Sequence, residues 1–198
     1  GVVSGTLAAN ASVGAPYNVV ITANDGNGVS VTQSFTWNVT NPAPTANDDG
    51  FSADENDAAA VIGNAITNLA GLDSDPDGDT LAATVQTNVA GSNGGLFSIA
   101  ANGDVTFNPN GAFESLAVGE TATTSLTYQI SDGQGGTDTA TVTVTVTGEN
   151  DVPTALGTVT TQAGQDTQTI TPLDLSGFFT DVDASDTLTF ADDGTLPP

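Results

Sequence analysis

Of 198 residues, 24 are Asp or Glu and none is Lys, Arg, His, Cys or Met, giving a formal net charge of -24. Nothing in such a chain neutralises phosphate, which excludes nucleic acid and anionic membrane surfaces as partners. The same absences exclude imidazole and thiolate metal sites, Ser-His and Cys-His nucleophiles, disulfides, and lysine Schiff bases or isopeptide cross-links, so the chain reads as a non-enzyme.

Charged residues make up only 12% and hydrophobic ones 37%, a balance that builds packed cores rather than a disordered acidic tail. The dominance of Thr, Val, Ala, Gly, Asn and Asp predicts an all-β chain of short strands joined by turns. No apolar run reaches the length of a membrane span, and no basic-then-apolar leader opens the chain, so it reads as an internal piece with no direct membrane insertion.

In chain order, the first strong signal is a hairpin. Tyr17 to Ala23 forms one strand, Asp25-Gly26-Asn27-Gly28 the turn, and Val31, Phe35, Trp37 and Val39 alternate with Thr32, Ser34, Thr36 and Asn38 in the second strand. Period-two alternation marks half-buried strands, and Asp-Gly supplies the positive φ of a tight turn. Trp37 and the Phe residues, on the apolar side, are expected in a core. After the linker N-P-A-P-T-A at 41–46 come D-E-N-D at 54–57 and an Ala-rich run near 57–70, the one stretch with any helical character, interrupted by Gly63. A second hairpin follows: a strand from Ser125 to Ser131, the turn Asp132-Gly133-Gln134-Gly135, and Val142, Val144 and Val146 alternating with Thr.

The two hairpins are followed by N-P-A-P-T-A at 41–46 and N-D-V-P-T-A at 150–155, an internal repeat of a domain ending. D-P-D-G-D-T-L at 75–81 and D-V-D-A-S-D-T-L at 181–188 repeat a domain beginning. The expected organisation is one complete domain at 45–150, the C-terminal half of another at 1–41, and the N-terminal half of another at 155–198 that the next copy completes. The implied period is 198 residues, entered at an arbitrary phase.

These residues carry a resemblance. D-E-N-D, D-S-D-P-D-G-D-T-L at 73–81, G-D-V-T-F-N-P-N-G-A-F at 103–113, G-E-T-A-T at 119–123 and I-S-D-G-Q-G-G-T at 130–137 are similar to the VCBS-type cadherin-like repeat of giant bacterial RTX adhesins. The flanks, with T-L-P-P at 195–198, G-V-V-S-G-T-L at 1–7 and A-N-D-G at 23–26, resemble the dystroglycan-type cadherin-like domain. That second family usually separates its L-P-P from its G-V-V-S-G by more residues than a direct joint of Pro198 to Gly1 would allow. The resemblance implies tandem immunoglobulin/cadherin-like β-sandwiches in an extracellular or cell-surface protein, exported by type I secretion from a Gram-negative bacterium.

Clustered carboxylates repel unless a cation lies between them, and Ca²⁺ favours flexible sites made only of oxygen. Asp73, Asp75, Asp77, Gly78 and Asp79 match the start of an EF-hand loop, but Thr84 stands where a bidentate Glu belongs. The resemblance instead implies calcium at domain boundaries. At the upper junction it implies Asp75 and Asp77, joined by Asp132 and by Asp48 or Asp49. At the lower junction it implies Glu55, Glu120, Glu149, Asn150, Asp151, Asp181 and Asp183, with Asp25 completing the set from the next copy. Because Asn41-Pro42 replaces Asn-Asp, fewer ions are expected at the upper junction. Any single Asp here can instead be turn chemistry, and Asp57, Glu114, Asp166 and Asp174 are expected to be solvated.

The functional expectation is an extender that calcium stiffens, with adjacent copies of the repeat and cell-surface or matrix polymers as partners. Two alternatives stay open: a subunit of a homopolymeric filament assembled by strand exchange, and a calcium-dependent module that binds glycan or a partner.

Overall fold

The computed structural model describes all residues except 1, 3, 9, 161, 166, 169–171 and 192–198. Asp166 and the T-L-P-P motif at 195–198 therefore lie outside the described residues. As expected, the chain is all-β; its described helical content is a single 3₁₀ turn at Ala11–Gly14.

The first hairpin pairs β1 (Tyr17–Asn24) with β2 (Ser30–Trp37), so β2 stops before Val39. Next come β3 (Asp49–Asp54), β4 (Ala60–Asn64), β5 (Ala82–Ala83), β6 (Gln86–Ala90), β7 (Leu96–Ile99), β8 (Asp104–Asn108), β9 (Thr121–Ser131) and β10 (Thr137–Thr147). They form two four-stranded sheets, ordered β3-β10-β9-β5 and β4-β8-β7-β6. The short β11 (Thr154–Ala155) and β12 (Phe179–Thr180) pair with each other further on.

Alternation explains the packing. Ala140, Val142, Val144 and Val146 of β10 point inward and are buried, while the intervening Thr residues stay half-exposed. The opposite sheet contributes Phe97, Ile99, Val105 and Phe107, with the Phe97 and Phe107 rings 4.9 Å apart between centroids. Each such side chain, removed from water, stabilises the fold by about 1.5–3 kcal/mol. Within the Ala-rich run at 57–70 none is helical, and only Ala60–Asn64 is regular, as the strand β4. Gly63 sits at its bulge, and the Phe51 ring fills the place a Cβ would take there.

The two hairpins share one local design. With Asp25 laid on Asp132 their registers coincide, so the Tyr17↔Trp37 and Val19↔Phe35 pairs match Thr124↔Val144 and Leu126↔Val142. Asp25 Oδ1 accepts from the Asn27 and Val29 amides at 2.8 and 3.0 Å, and Asp132 Oδ1 accepts from those of Gln134 and Gly136 at 2.7 and 3.0 Å. Gly26 and Gly28, at φ of 79° and 93°, allow the left-handed backbone that this turn needs.

They differ in what covers them. The inner face of β9–β10 is packed against the second sheet, and β3 lies parallel along β10 from Val142↔Asp49 to Thr147↔Asp54. Trp37 and Phe35 depart from the expected core placement: they remain 48% and 43% exposed, since among the described residues no second sheet lies over β1–β2.

Candidate metal centre

The carboxylates are organised by where the strands end. Glu55 directly follows β3, and its amide extends the parallel ladder by donating to the Thr147 carbonyl at 3.0 Å. This brings Glu55 beside the chain leaving β10. The Glu149 amide then donates to Glu55 Oε1 at 2.7 Å, and the Asp151 amide donates to Asp183 Oδ2 at 3.0 Å. Asp183 is in turn oriented by its own amide, which donates to Asp181 Oδ1 at 3.2 Å, and by the neighbouring Ala184 amide, which donates to the Ser115 carbonyl at 3.1 Å.

As a result, Glu55, Asp151 and Asp183 converge from three separate segments, each offering a carboxylate oxygen within 4.8 Å of the other two. Glu55 and Asp183 are each only 2% exposed. One oxygen of each acid, Glu55 Oε2, Asp151 Oδ2 and Asp183 Oδ1, is buried without a hydrogen-bond partner. At that spacing and an effective dielectric of about 20, each pair of ionised groups repels by roughly 3 kcal/mol. Burial pushes the Glu55 carboxyl above its ordinary range, and the charges of Asp151, Glu114 and Asp183 add to the rise against the Glu149 amide. Three hard, aimed oxygens with no donor to meet them fit a divalent cation such as Ca²⁺.

The remaining expected ligands of this junction lie outside that convergence. Glu120 Oε2 accepts from the Ala117 amide at 3.2 Å, and Glu149 Oε2 accepts from Asn56 Nδ2 at 3.2 Å. The Asn150 side chain donates to the Asp151 carbonyl at 2.6 Å, while Asp181 serves as the rest for the Asp183 amide. Asp25 is exposed, its Oδ1 taken up by the turn amides.

The upper junction gathers Asp75, Asp77 and Asp79. Asp75 Oδ1 accepts from the amides of Asp77, Gly78 and Asp79 at 3.0, 3.1 and 3.2 Å. Asp75 Oδ2 and Asp77 Oδ1 are buried without partners. The Asp77 carboxyl is pushed up to about 6, first by the hydrogen bond with Asp75 and then by burial and by the charges of Asp79 and Asp75. Asp132 stands beside the linker, but a neutral amide meets it: Asn41 Nδ2 donates to Asp132 Oδ2 at 2.7 Å. Gln134 Nε2 likewise donates to Asp79 Oδ2, and to Asn10 Oδ1 at 2.6 Å.

Asp48 and Asp49 are not brought into that group. Asp48 Oδ1 accepts from the Thr141 amide at 2.8 Å, fastening the start of β3 to β10. Asp49 is buried and accepts from the Tyr128 hydroxyl at 3.0 Å and from Asn68 Nδ2 at 2.9 Å. The same hydroxyl lies 3.1 Å from Asp73 Oδ2. Burial pushes Asp49 up to about 6 despite these donors, and the neighbouring Asp73 and Asp48 charges add to the rise.

Two features escaped the sequence reading. Glu114, expected to be solvated, is half-buried and its charge reaches Glu55; a lone acid in F-E-S gives no signal for that. The amides of Asn41 and Gln134 were legible as turn and linker residues, not as donors to carboxylates 91 and 55 positions away.

Comparison with known proteins bears on this arrangement. The calcium-binding lectin RapA2 of Rhizobium johnstonii is 34% identical over 143 residues, covering 63% of this chain and 56% of the relative, so the chain spans little more than half of the relative's length. Among solved structures, human mucin-like protocadherin EC1-2 is similar over 66% of this chain and 67% of its own, at 16% identity and a TM-score of 0.39. Mouse protocadherin-24 EC1-3 is similar over 71% of this chain and 48% of its own, at 17% identity and a TM-score of 0.37. The family model described as the bacterial cadherin-like domain matches residues 41–148, more than half of the chain and the whole of the two-sheet sandwich. The chain belongs to the bacterial cadherin-like domain family.

Proposed function

We propose that the protein is a structural extender of a bacterial surface or matrix adhesin, whose modules are held in line by Ca²⁺ at their boundaries. The observation that carries this reading is the convergence of three partnerless carboxylate oxygens from the sandwich (Glu55), the linker (Asp151) and the following segment (Asp183). Charge neutralisation at that point would tie the three segments together. Without it, mutual repulsion and the overall charge of -24 favour a loose linker. Within this proposal Glu55 and Asp183 are the ligands preset by backbone donors, Asp151 closes the set, and Glu149, Asn150 and Asp181 shape the loop around it. Asp75, Asp77 and Asp79 form a second, less demanding site.

Membership of the bacterial cadherin-like family and similarity to a relative named as calcium-binding support this reading. The finer assignment to VCBS-type repeats of an RTX adhesin, with type I secretion and an extracellular home, is part of the same proposal. So is the division into a complete module at 45–150 flanked by partial modules at 1–41 and 155–198. A second reading, glycan binding through a calcium-bearing surface, is favoured by the relative's description as a lectin. A glycan array with and without calcium separates the two, since a pure extender binds no glycan.

The direct test is calorimetric unfolding of the full chain at about 2 mM Ca²⁺ against excess chelator. Sites of the affinity typical of extracellular modules contribute roughly 1–2 kcal/mol each at that concentration. For a module of ~100 residues this raises the melting temperature by roughly 4–12 °C. An unchanged midpoint overturns the calcium reading and leaves the acidic groups as turn chemistry.

A further inference from the structure

Glu114 is the acid near the lower centre that the three-carboxylate convergence leaves out. It lies in the loop 109–120 between β8 and β9, and both of its neighbours are fixed. Phe113 is 4% exposed in the core, and the Ser115 carbonyl accepts from the Ala184 amide at 3.1 Å, next to Asp183. The Leu116 amide closes the turn by donating to the Phe113 carbonyl at 2.9 Å. On its other side the loop is held against the chain leaving β10. The Gly148 amide donates to the Glu120 carbonyl at 2.9 Å, and the Leu116 and Ala117 carbonyls occupy the place that a Cβ on Gly148 would take. The backbone at 113–120 is therefore clamped between the two segments that carry Asp151 and Asp183.

The two acids of this loop have opposite surroundings. Glu120, where the spacing places a ligand, is exposed, and its Oε2 accepts from the Ala117 amide at 3.2 Å. Glu114 is half-buried, and no donor among the described residues meets its carboxylate. Its charge pushes the Glu55 carboxyl up at least as much as that of Asp183, which itself offers an oxygen within 4.8 Å. Repulsion falls with distance, so Glu114 faces Glu55. Glu55 is 2% exposed and its Oε2 has no partner. Another acid turned toward such a group deepens the repulsion, and a cation shared by both reverses the sign of that cost.

We infer that Glu114, in place of Glu120, is the fourth acid of the lower metal centre, facing Glu55 and setting the affinity of the site for a hard divalent cation. This rests on the calcium reading proposed above and extends it, since the affinity of an all-oxygen site follows the number of its charged ligands. The contact of Ser115 with Ala184 joins that acid to the segment carrying Asp183, so the site is complete only when that segment is in place.

The test is isothermal titration of Ca²⁺ into the full chain carrying Asp75→Asn and Asp77→Asn, which silences the upper loop, followed by melting in excess chelator. In this parent, Glu55→Gln causes the largest loss of affinity. Glu114→Gln weakens binding roughly tenfold, Glu114→Asp recovers part of that loss, and Glu120→Gln stays within about twofold of the parent. In chelator the sign reverses: Glu114→Gln melts higher than the parent, because it removes a charge that faces Glu55. A merely structural role for Glu114 would lower the melting temperature in both conditions and leave the calcium affinity in place.

Calcium binding in the parent that Glu114→Gln leaves unchanged overturns this inference alone. So does a loss of affinity that follows Glu120→Gln instead, which returns the ligand to the position that spacing gives it. A parent that binds no Ca²⁺ overturns the calcium reading itself, and the role of Glu114 falls with it.

Discussion

At the lower end of the sandwich, Glu55, Asp151 and Asp183 from three segments turn partnerless oxygens toward one another, whereas at the upper end only Asp75 and Asp77 of one loop leave an oxygen partnerless, and Asp132 and Asp79 are each met by a neutral amide, from Asn41 and Gln134. Both ends begin from the same material: a hairpin, an Asn-containing linker and an acidic loop. What differs is the supply of donors. The lower linker spends its backbone amides on the far oxygens of Glu55 and Asp183, which aims the near ones and leaves them unmet. The upper linker brings a side-chain amide that does part of a cation's work at no charge. A carboxylate cluster therefore calls for metal in proportion to the donors it lacks, not to the number of acids it contains.

The comparison predicts unequal losses. Glu55→Gln with Asp183→Asn removes most of the calcium-dependent rise in melting temperature, and Asp75→Asn with Asp77→Asn removes a smaller part, as read by calorimetry with and without chelator. Equal losses would break the distinction between the two ends.

Asn41→Asp sharpens it from the other side. The substitution deletes the donor to Asp132 Oδ2 and sets a like charge beside it. In chelator the variant melts lower, by about 1 kcal/mol of stability, and the gap between calcium and chelator widens. A gap that stays the same would mean that the amide is not standing in for a cation.

The smallest effect is on pH. Asp49 and Asp77 are each pushed up to about 6 in the fold, from an ordinary 3.8. The folded state therefore holds these protons more tightly than the unfolded chain does. Their contribution is fully present below the ordinary value and is lost as pH rises through about 6. With chelator, the protein melts higher at about pH 5 than at about pH 7. Under the proposed calcium reading, a cation bound at the Asp75 and Asp77 loop would compete with protonation there, so its stabilising effect is expected to shrink as pH falls from about 7 to about 5. Asp75→Asn removes the part of this dependence that belongs to Asp77, and Tyr128→Phe alters the part that belongs to Asp49 together with that of Asp73, which shares the hydroxyl.

Reading the acids from sequence succeeded where the constraint is local. Asp25 and Asp132 were recognisable as turn residues from Asp-Gly-x-Gly, and both accept from amides two and four residues on. Asp49 was not recognisable as a core residue. Its fate depends on Tyr128, 79 positions away, whose hydroxyl it shares with Asp73. Glu114 was missed for the same reason: its importance lies in reaching Glu55 across the end of the sandwich. Trp37 shows the opposite failure, since alternation marks the side that seeks burial without saying whether anything arrives to bury it.

The sequence by itself determined an all-β chain with no route to imidazole, thiolate or lysine chemistry, two hairpins with Asp-Gly turns, and a pool of acids that suits a hard cation. These follow from composition and from periodicities of two residues, which the local backbone imposes. Only the tertiary structure decided which acids meet. The parallel pairing of β3 with β10 carries Glu55 to the end of β10, and backbone amides at Glu149 and Asp151 then choose which oxygens are held and which are left free. Spacing along the chain contains no such information, because a hydrogen bond between positions 55 and 149 is set by strand register, not by the residues between them.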